Sequence, residues 1–378
     1  MIRSSKVKDI LKVFSINLVI LGILLVSPAL LYQSYKTVKN KLTQSLNSNT
    51  DQRAVYPTYA NKDFSIELFN ELSIIPIIYR SFIGWRREKV NFKYTKILGP
   101  YNARKSQGEA INNSVWFFGG STMWGTGSSD NQTIPSHFNS LTKLPVYNFG
   151  ETSWTSRQSL NQLINAIGDN NNPSIALFYD GVNDVLHQCR SEIKLLPSHS
   201  REIQIQNALK PLPMQDRIIN FILSPYIAIT RKFTTQFTSV NRSQSKAYNC
   251  DIKKEKSLSI AQHLVNNWYT AYALSKSKNF EFYGILQPTL FTTKTKSEYF
   301  TPDIVKRNSE MEIQYRSVYP LILNEIERYC KNDKNFCSTI IDGTDWLDGM
   351  NNIFIDFCHV TSFGNKVIAQ RMKSFLKR

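Results

Sequence analysis

From residue 114 onward the chain alternates short apolar runs with stretches of helical spacing. No other feature limits the possible folds as strongly. SVWFFGG, LPVYNFG, PSIALFYDG, EFYGILQP and STIID are each five to nine residues long, rich in β-branched and aromatic side chains, and each is closed by Gly, Asp or Pro. Between them lie TIPSHFNSLTK, SWTSRQSLNQLINAIGD and the regions 258–278 and 303–330. A last segment begins at Ser362, with Phe363, Val367, Ile368, Met372 and Phe375 on one face. Strands alternating with helices predict an α/β class, a parallel sheet covered on both faces. In such sheets ligands bind beyond the carboxyl ends of the strands. The loops after the first three strands are therefore the places to look for chemistry.

Those loops read GGST at 119–122, NFG at 148–150 and GVND at 181–184, and the last helix is preceded by DFCHVTSFGN at 356–365. A serine hydroxyl needs a base to take its proton. Ser121 has a candidate in His359, and Asp356, three residues earlier, can hold the other ring N–H. The backbone N–H groups of Ser121 and Gly150 and the side-chain amide of Asn183 are candidate donors to a developing oxyanion. His137, His187, His199 and His263 have no acid at comparable spacing and read as structural. Asp180 and Asp184 read as loop hydrogen-bonding groups. Cys358 reads as a buried filler. DGTDWLDG at 342–349 lacks the EF-hand calcium spacing and reads as a polar loop.

With these residues in place, the chain resembles the SGNH hydrolases, the GDSL-type esterases and lipases. Ser121 lies in GGST where the family has GDS, with Gly120 replacing the aspartate. Gly150 closes the second block, Asn183 lies in GVND, and Asp356 and His359 make the DxxH of the last block. The resemblance covers roughly residues 114–378. It implies a flavodoxin-like three-layer α/β/α sandwich and ester chemistry through an acyl-serine, with no cofactor.

The N-terminal third is organised differently. Residues 1–12 carry Arg3, Lys6, Lys8 and Lys12 against Asp9, and residues 13–32 carry no charge. About 20 such residues can span a bilayer as a helix. Basic residues ahead of the span place the N-terminus in the cytoplasm and the remainder outside, on the periplasmic or extracellular side. An uncleaved transmembrane anchor and a cleaved signal peptide with its exit near Ser27-Pro28-Ala29 are both open readings. Residues 33–62 are polar and predict a linker. Residues 63–113 predict a packed N-terminal extension, and 114–378 the catalytic domain. Its insertion at 185–257 interrupts the alternation and is read as a lid or substrate wall.

Five cysteines fit an address outside the cytoplasm, with Cys189–Cys250 and Cys330–Cys337 as candidate disulfides and buried thiols as the alternative. No spacing suits zinc, so no metal is expected. With 46 Lys and Arg against 29 Asp and Glu, the net charge is +17. The basic residues are scattered and no nucleic-acid-binding motif accompanies them, so no nucleic acid partner is expected. A positive exterior instead suits anionic lipid or acidic glycan. The expected substrate is an acylated carbohydrate, with O-acetyl or another short acyl group on cell-envelope or extracellular polysaccharide, and the machinery that handles such a polymer is an expected partner. An O-acyltransferase with the same triad and a non-catalytic glycan-binding or assembly factor are the rival readings.

Overall fold

A computed structural model describes residues 2–46, 51–209, 213–237 and 247–376. The chain divides into two compact units, residues 1–49 with 206–245, and residues 50–205 with 246–378.

In the first unit a single helix, α1, runs from Ile2 to Leu46. Its segment Leu11–Lys39 is long and apolar enough to cross a membrane. The basic tail expected over 1–12 belongs to this helix from Ile2 onward. Composition predicts a linker over 33–62, but the backbone there is helical through Leu46.

The second unit opens with a short 3-10 turn, Gln52–Val55, that also departs from the linker reading. Ala54 and Tyr56 are buried in a small cluster with Phe69 and Ile355, so this stretch is packed rather than free. Helix α2, Lys62–Ile74, stops ahead of Pro76. The hairpin β1 (Ile77–Arg80) and β2 (Gly84–Arg87) and the short pair β3 (Val90–Asn91) and β4 (Lys96–Ile97) follow.

The alternating part folds as its pattern predicts. In order come β5 (Val115–Gly119), α3 (Ser121–Trp124), α4 (Ile134–Thr142), β6 (Val146–Asn148), α5 (Ser156–Gly168), β7 (Ile175–Asp180) and α6 (Val182–Gln188). Then come α7 (Ser200–Leu209), α8 (Met214–Phe237), α9 (Lys254–Lys278), β8 (Glu281–Leu286), α10 (Pro302–Asn332), α11 (Lys334–Cys337), β9 (Ile340–Asp342) and α12 (Ser362–Phe375).

β5 to β9 form one parallel sheet in the spatial order β6-β5-β7-β8-β9. Counted along the sheet strands alone this is 2-1-3-4-5, the flavodoxin-like doubly wound order, whose crevice opens where β5 and β7 diverge. Side chains alternate between faces with a period of two. Trp116, Phe118 and Phe178 face Leu160 and Leu163 of α5, Leu264 and Trp268 of α9, and Tyr315 of α10. Val115, Phe117 and Leu177 face Phe138 of α4 and Val367, Ile368 and Met372 of α12. Burial on both faces explains why these strands read as continuous apolar runs.

Both expected disulfides are present. Cys189–Cys250, beside a backbone pairing of Arg190 with Tyr248, closes the neck of the insertion expected over 185–257. Its residues 210–212 and 238–246 lie outside the described ones.

Candidate active site

β5 ends in Gly119, and Gly120 is the N-cap of the one-turn helix α3, which makes Ser121 its first residue. The N–H of a first-turn residue has no partner within its own helix. The same turn therefore offers a half-buried hydroxyl and a free backbone donor side by side.

His359 comes from the loop ahead of α12. Asp356 folds that loop into an Asx-type turn, its Oδ1 accepting the N–H groups of Cys358 at 2.9 Å and His359 at 2.8 Å. Oδ2 of the same carboxylate lies 2.6 Å from His359 Nδ1, and His359 Nε2 lies 2.6 Å from Ser121 Oγ. The three side chains expected from sequence thus form one continuous chain of hydrogen bonds. Thr122 Oγ1 donates to the Cys358 carbonyl at 3.3 Å and accepts from Gln287 Nε2 at 2.8 Å, which ties the serine turn to the histidine loop.

Burial works against ionisation of Asp356. Its contacts with His359, the Arg53 guanidinium and the backbone N–H groups overcome that and hold the carboxyl far below the usual carboxylate range. Arg53 is the residue that sequence reasoning missed. Its Nη1 donates to Asp356 Oδ2 at 2.8 Å, while Nε and Nη2 grip Asp51 at 3.0 and 2.7 Å. Its guanidinium also lies over the Phe69 ring at 5.0 Å. A basic residue 303 positions from its partner, in a stretch of linker-like composition, leaves no local signal.

Asn183 lies in the first turn of α6, directly after β7. Its Nδ2 donates to the Trp154 carbonyl at 2.7 Å. A Cβ added at Gly120 would lie 2.2 Å from that same nitrogen, so the amide rests against the residue preceding Ser121. Only glycine leaves room for it there. Beneath it, Asp184 accepts from Ser156 Oγ at 2.6 Å, and Asp180 accepts from Ser159 Oγ and Trp268 Nε1. Burial, reinforced by Asp184, pushes Asp180 up to about 8. These two carboxylates brace the loop.

Gly150 does not fit the donor role expected for it. Its N–H is taken by Asn148 Oδ1 at 3.0 Å, and a Cβ there would lie 2.6 Å from Trp124 N. Glycine at 150 allows β6 to end tightly against α3. Accounting for the N–H groups of the following loop singles out another residue. Glu151 donates to the Gly119 carbonyl, Thr152 to Glu151 Oε1, Trp154 to the Glu151 carbonyl and Thr155 to Gln158 Oε1. In this loop the N–H of Ser153 alone has no acceptor among the described residues. Ser153 also has φ of 63°, a conformation few serines adopt, and nothing in the sequence marks it.

Asp356, Cys358 and His359 place potential ligand atoms within 4.8 Å of one another. Two of the three are already hydrogen-bonded to each other. Burial, then Asp356, pushes the Cys358 thiol well up, which disfavours the thiolate a metal would need. In DGTDWLDG, Asp342 caps Thr344 and Asp348 accepts the Lys294 N–H, both loop contacts.

No family model matches the chain, and no curated protein matches it. Solved structures do. A member of the lipolytic protein G-D-S-L family from Veillonella parvula DSM 2008 is 11% identical with a TM-score of 0.38, covering 69% of this chain and 96% of its own. A GDSL-like lipase from Bacteroides thetaiotaomicron VPI-5482 is 14% identical with a TM-score of 0.36, covering 69% of this chain and 86% of its own. An acetyl xylan esterase, AlAXEase, is 11% identical with a TM-score of 0.31, covering 70% of this chain and 100% of its own.

Proposed function

We propose that this chain is a serine esterase of the SGNH type, tethered by α1 with residues 50–378 outside the cytoplasm. On this reading it removes O-acetyl or other short acyl groups from envelope or extracellular polysaccharide. The observation that carries the proposal is the unbroken contact from Ser121 Oγ through His359 to Asp356, 2.6 Å at each step.

Ser121 Oγ attacks the ester carbonyl while His359 Nε2 takes the hydroxyl proton. Asp356 keeps the Nδ1 proton on the imidazole and balances the positive charge that develops there. The tetrahedral oxyanion is met by the N–H of Ser121, the free N–H of the Asn183 amide and, in place of Gly150, the N–H of Ser153. Collapse of this intermediate breaks the bond to the alcohol, which leaves with the proton from Nε2. Water then gives its proton to Nε2 and attacks the acyl-serine, releasing the acid and restoring the hydroxyl. Ser121 is only half-buried, which suits an ester carried on a polymer.

The test is release of free acetate from O-acetylated polysaccharide by the full chain in detergent, against Ser121→Ala. Acetate appearing in water, and lost in the variant, is the expected result. Acyl groups recovered on an added sugar acceptor instead would make the protein a transferase. No acyl loss of either kind would reject the substrate class.

A further inference from the structure

Helix α8 carries 13 consecutive uncharged residues, 218–230, between Asp216 and Arg217 on one side and Arg231 and Lys232 on the other. At 1.5 Å per residue this stretch is about 20 Å long, well short of the about 30 Å of a bilayer core. It does not have the length of a second span.

α8 packs against α1 within the first unit. Ala29 of α1 and Pro225 of α8 are both buried, and Val26, Phe221 and Ile222 line the seam. A groove of about 620 Å³ remains there, apolar apart from Arg217. The other side of α8 is uncovered. Ile219, Leu223, Tyr226 and Ile227 follow one another at helical spacing and are 51%, 43%, 44% and 40% exposed. Four large apolar side chains in one stripe are more than water alone accommodates cheaply. On α1, which α8 packs against, the large apolar side chains from Leu11 to Leu25, with Leu30 and Leu31, are also uncovered. The medium that covers one surface covers the other.

We propose that α8 is a second membrane-contacting element, an amphipathic helix lying in the lipid–water interface beside α1. Its apolar stripe enters the acyl region, and Arg217 near its start meets anionic headgroups. Lipid chains complete the packing in the groove beside Val26. This rests on the reading of α1 as a bilayer-spanning helix.

The full chain is reconstituted in nanodiscs of phosphatidylcholine and phosphatidylglycerol. Single nitroxides are placed by Leu18→Cys, Ile219→Cys and Leu223→Cys, and collision with oxygen is compared with collision with a water-soluble nickel chelate. Cys358 is 3% exposed and leaves the background low. The expected result is a severalfold excess of oxygen collisions at all three sites. Excess oxygen at Leu18 with free nickel access at Ile219 and Leu223 overturns the proposal and leaves the anchor standing. Nickel access at Leu18 as well overturns both.

Discussion

Arg53→Ala removes one of the contacts that hold the Asp356 carboxylate and leaves the two backbone N–H groups and the imidazole in place. A hydrogen bond to a charged group contributes about 1.5–3 kcal/mol. Both side chains are about a quarter exposed, at 26% and 24%, so solvent screening takes roughly half of that. About 1 kcal/mol remains, or about fivefold in kcat. KM should stay nearly constant, because Arg53 acts on the carboxylate and not on the acyl group. Asp356→Ala deletes the whole arrangement, and losing the acid of such a triad costs about 10⁴-fold. Arg53→Lys keeps the charge but cannot reach Asp51 and Asp356 with one planar fork, so it should fall between wild type and alanine. The assay is p-nitrophenyl acetate hydrolysis with thermal melting of each variant alongside. Unchanged kcat in Arg53→Ala, or a loss as deep as that of Asp356→Ala at unchanged melting temperature, would refute the positioning role.

Two further outcomes can be stated together. Gly150→Ala should destabilise the fold by about 1–3 kcal/mol, because the new methyl group meets the α3 backbone with no flexible side chain to yield; an unchanged melting temperature would show that the turn is looser than described. The His187 and His199 rings lie 4.0 Å apart. Burial, then Arg201 and Arg190, pushes His187 down to about 3, and burial, then His187, pushes His199 down to about 2. Both folded values lie below the unfolded value of about 6.5, so the unfolded chain binds more protons as pH falls, and stability present above about 6.5 is lost towards 3. The steepest slope two such groups allow is about 2.7 kcal/mol per pH unit. The His187 ring makes no hydrogen bond among the described residues, so His187→Phe should roughly halve the acid slope in melts from pH 7 to 5. An unaltered slope would place the acid sensitivity elsewhere.

The sheet was legible because its strands are buried on both faces, and a run such as VWFF has no other stable place in a domain of this size. Ser121, Asn183, Asp356 and His359 were legible for a related reason. Each follows a strand end or precedes a helix, and strand ends in a doubly wound sheet converge on one crevice. What escaped depends on contacts distant in sequence or on backbone angles. Arg53 reaches across 303 positions. The linker-like stretch around it is fixed by only a few buried side chains, Ala54 and Tyr56 among them, too few to change its composition. At 148–155 the glycine drew attention, but its N–H is spent on Asn148, and the free donor belongs to a serine whose φ no residue type announces. Composition likewise could not tell that 33–46 continues α1, because a polar stretch is as compatible with the end of a long helix as with a linker.

Covalent trapping tests the nucleophile most directly. The full chain in detergent is treated with a fluorophosphonate, digested, and the adduct located by mass spectrometry, with Ser121→Ala and His359→Ala alongside. A single adduct on Ser121, absent from both variants, is the expected result. An unlabelled wild-type protein that melts cooperatively, or an adduct on another serine, would contradict the assignment of Ser121, His359 and Asp356 as a working triad.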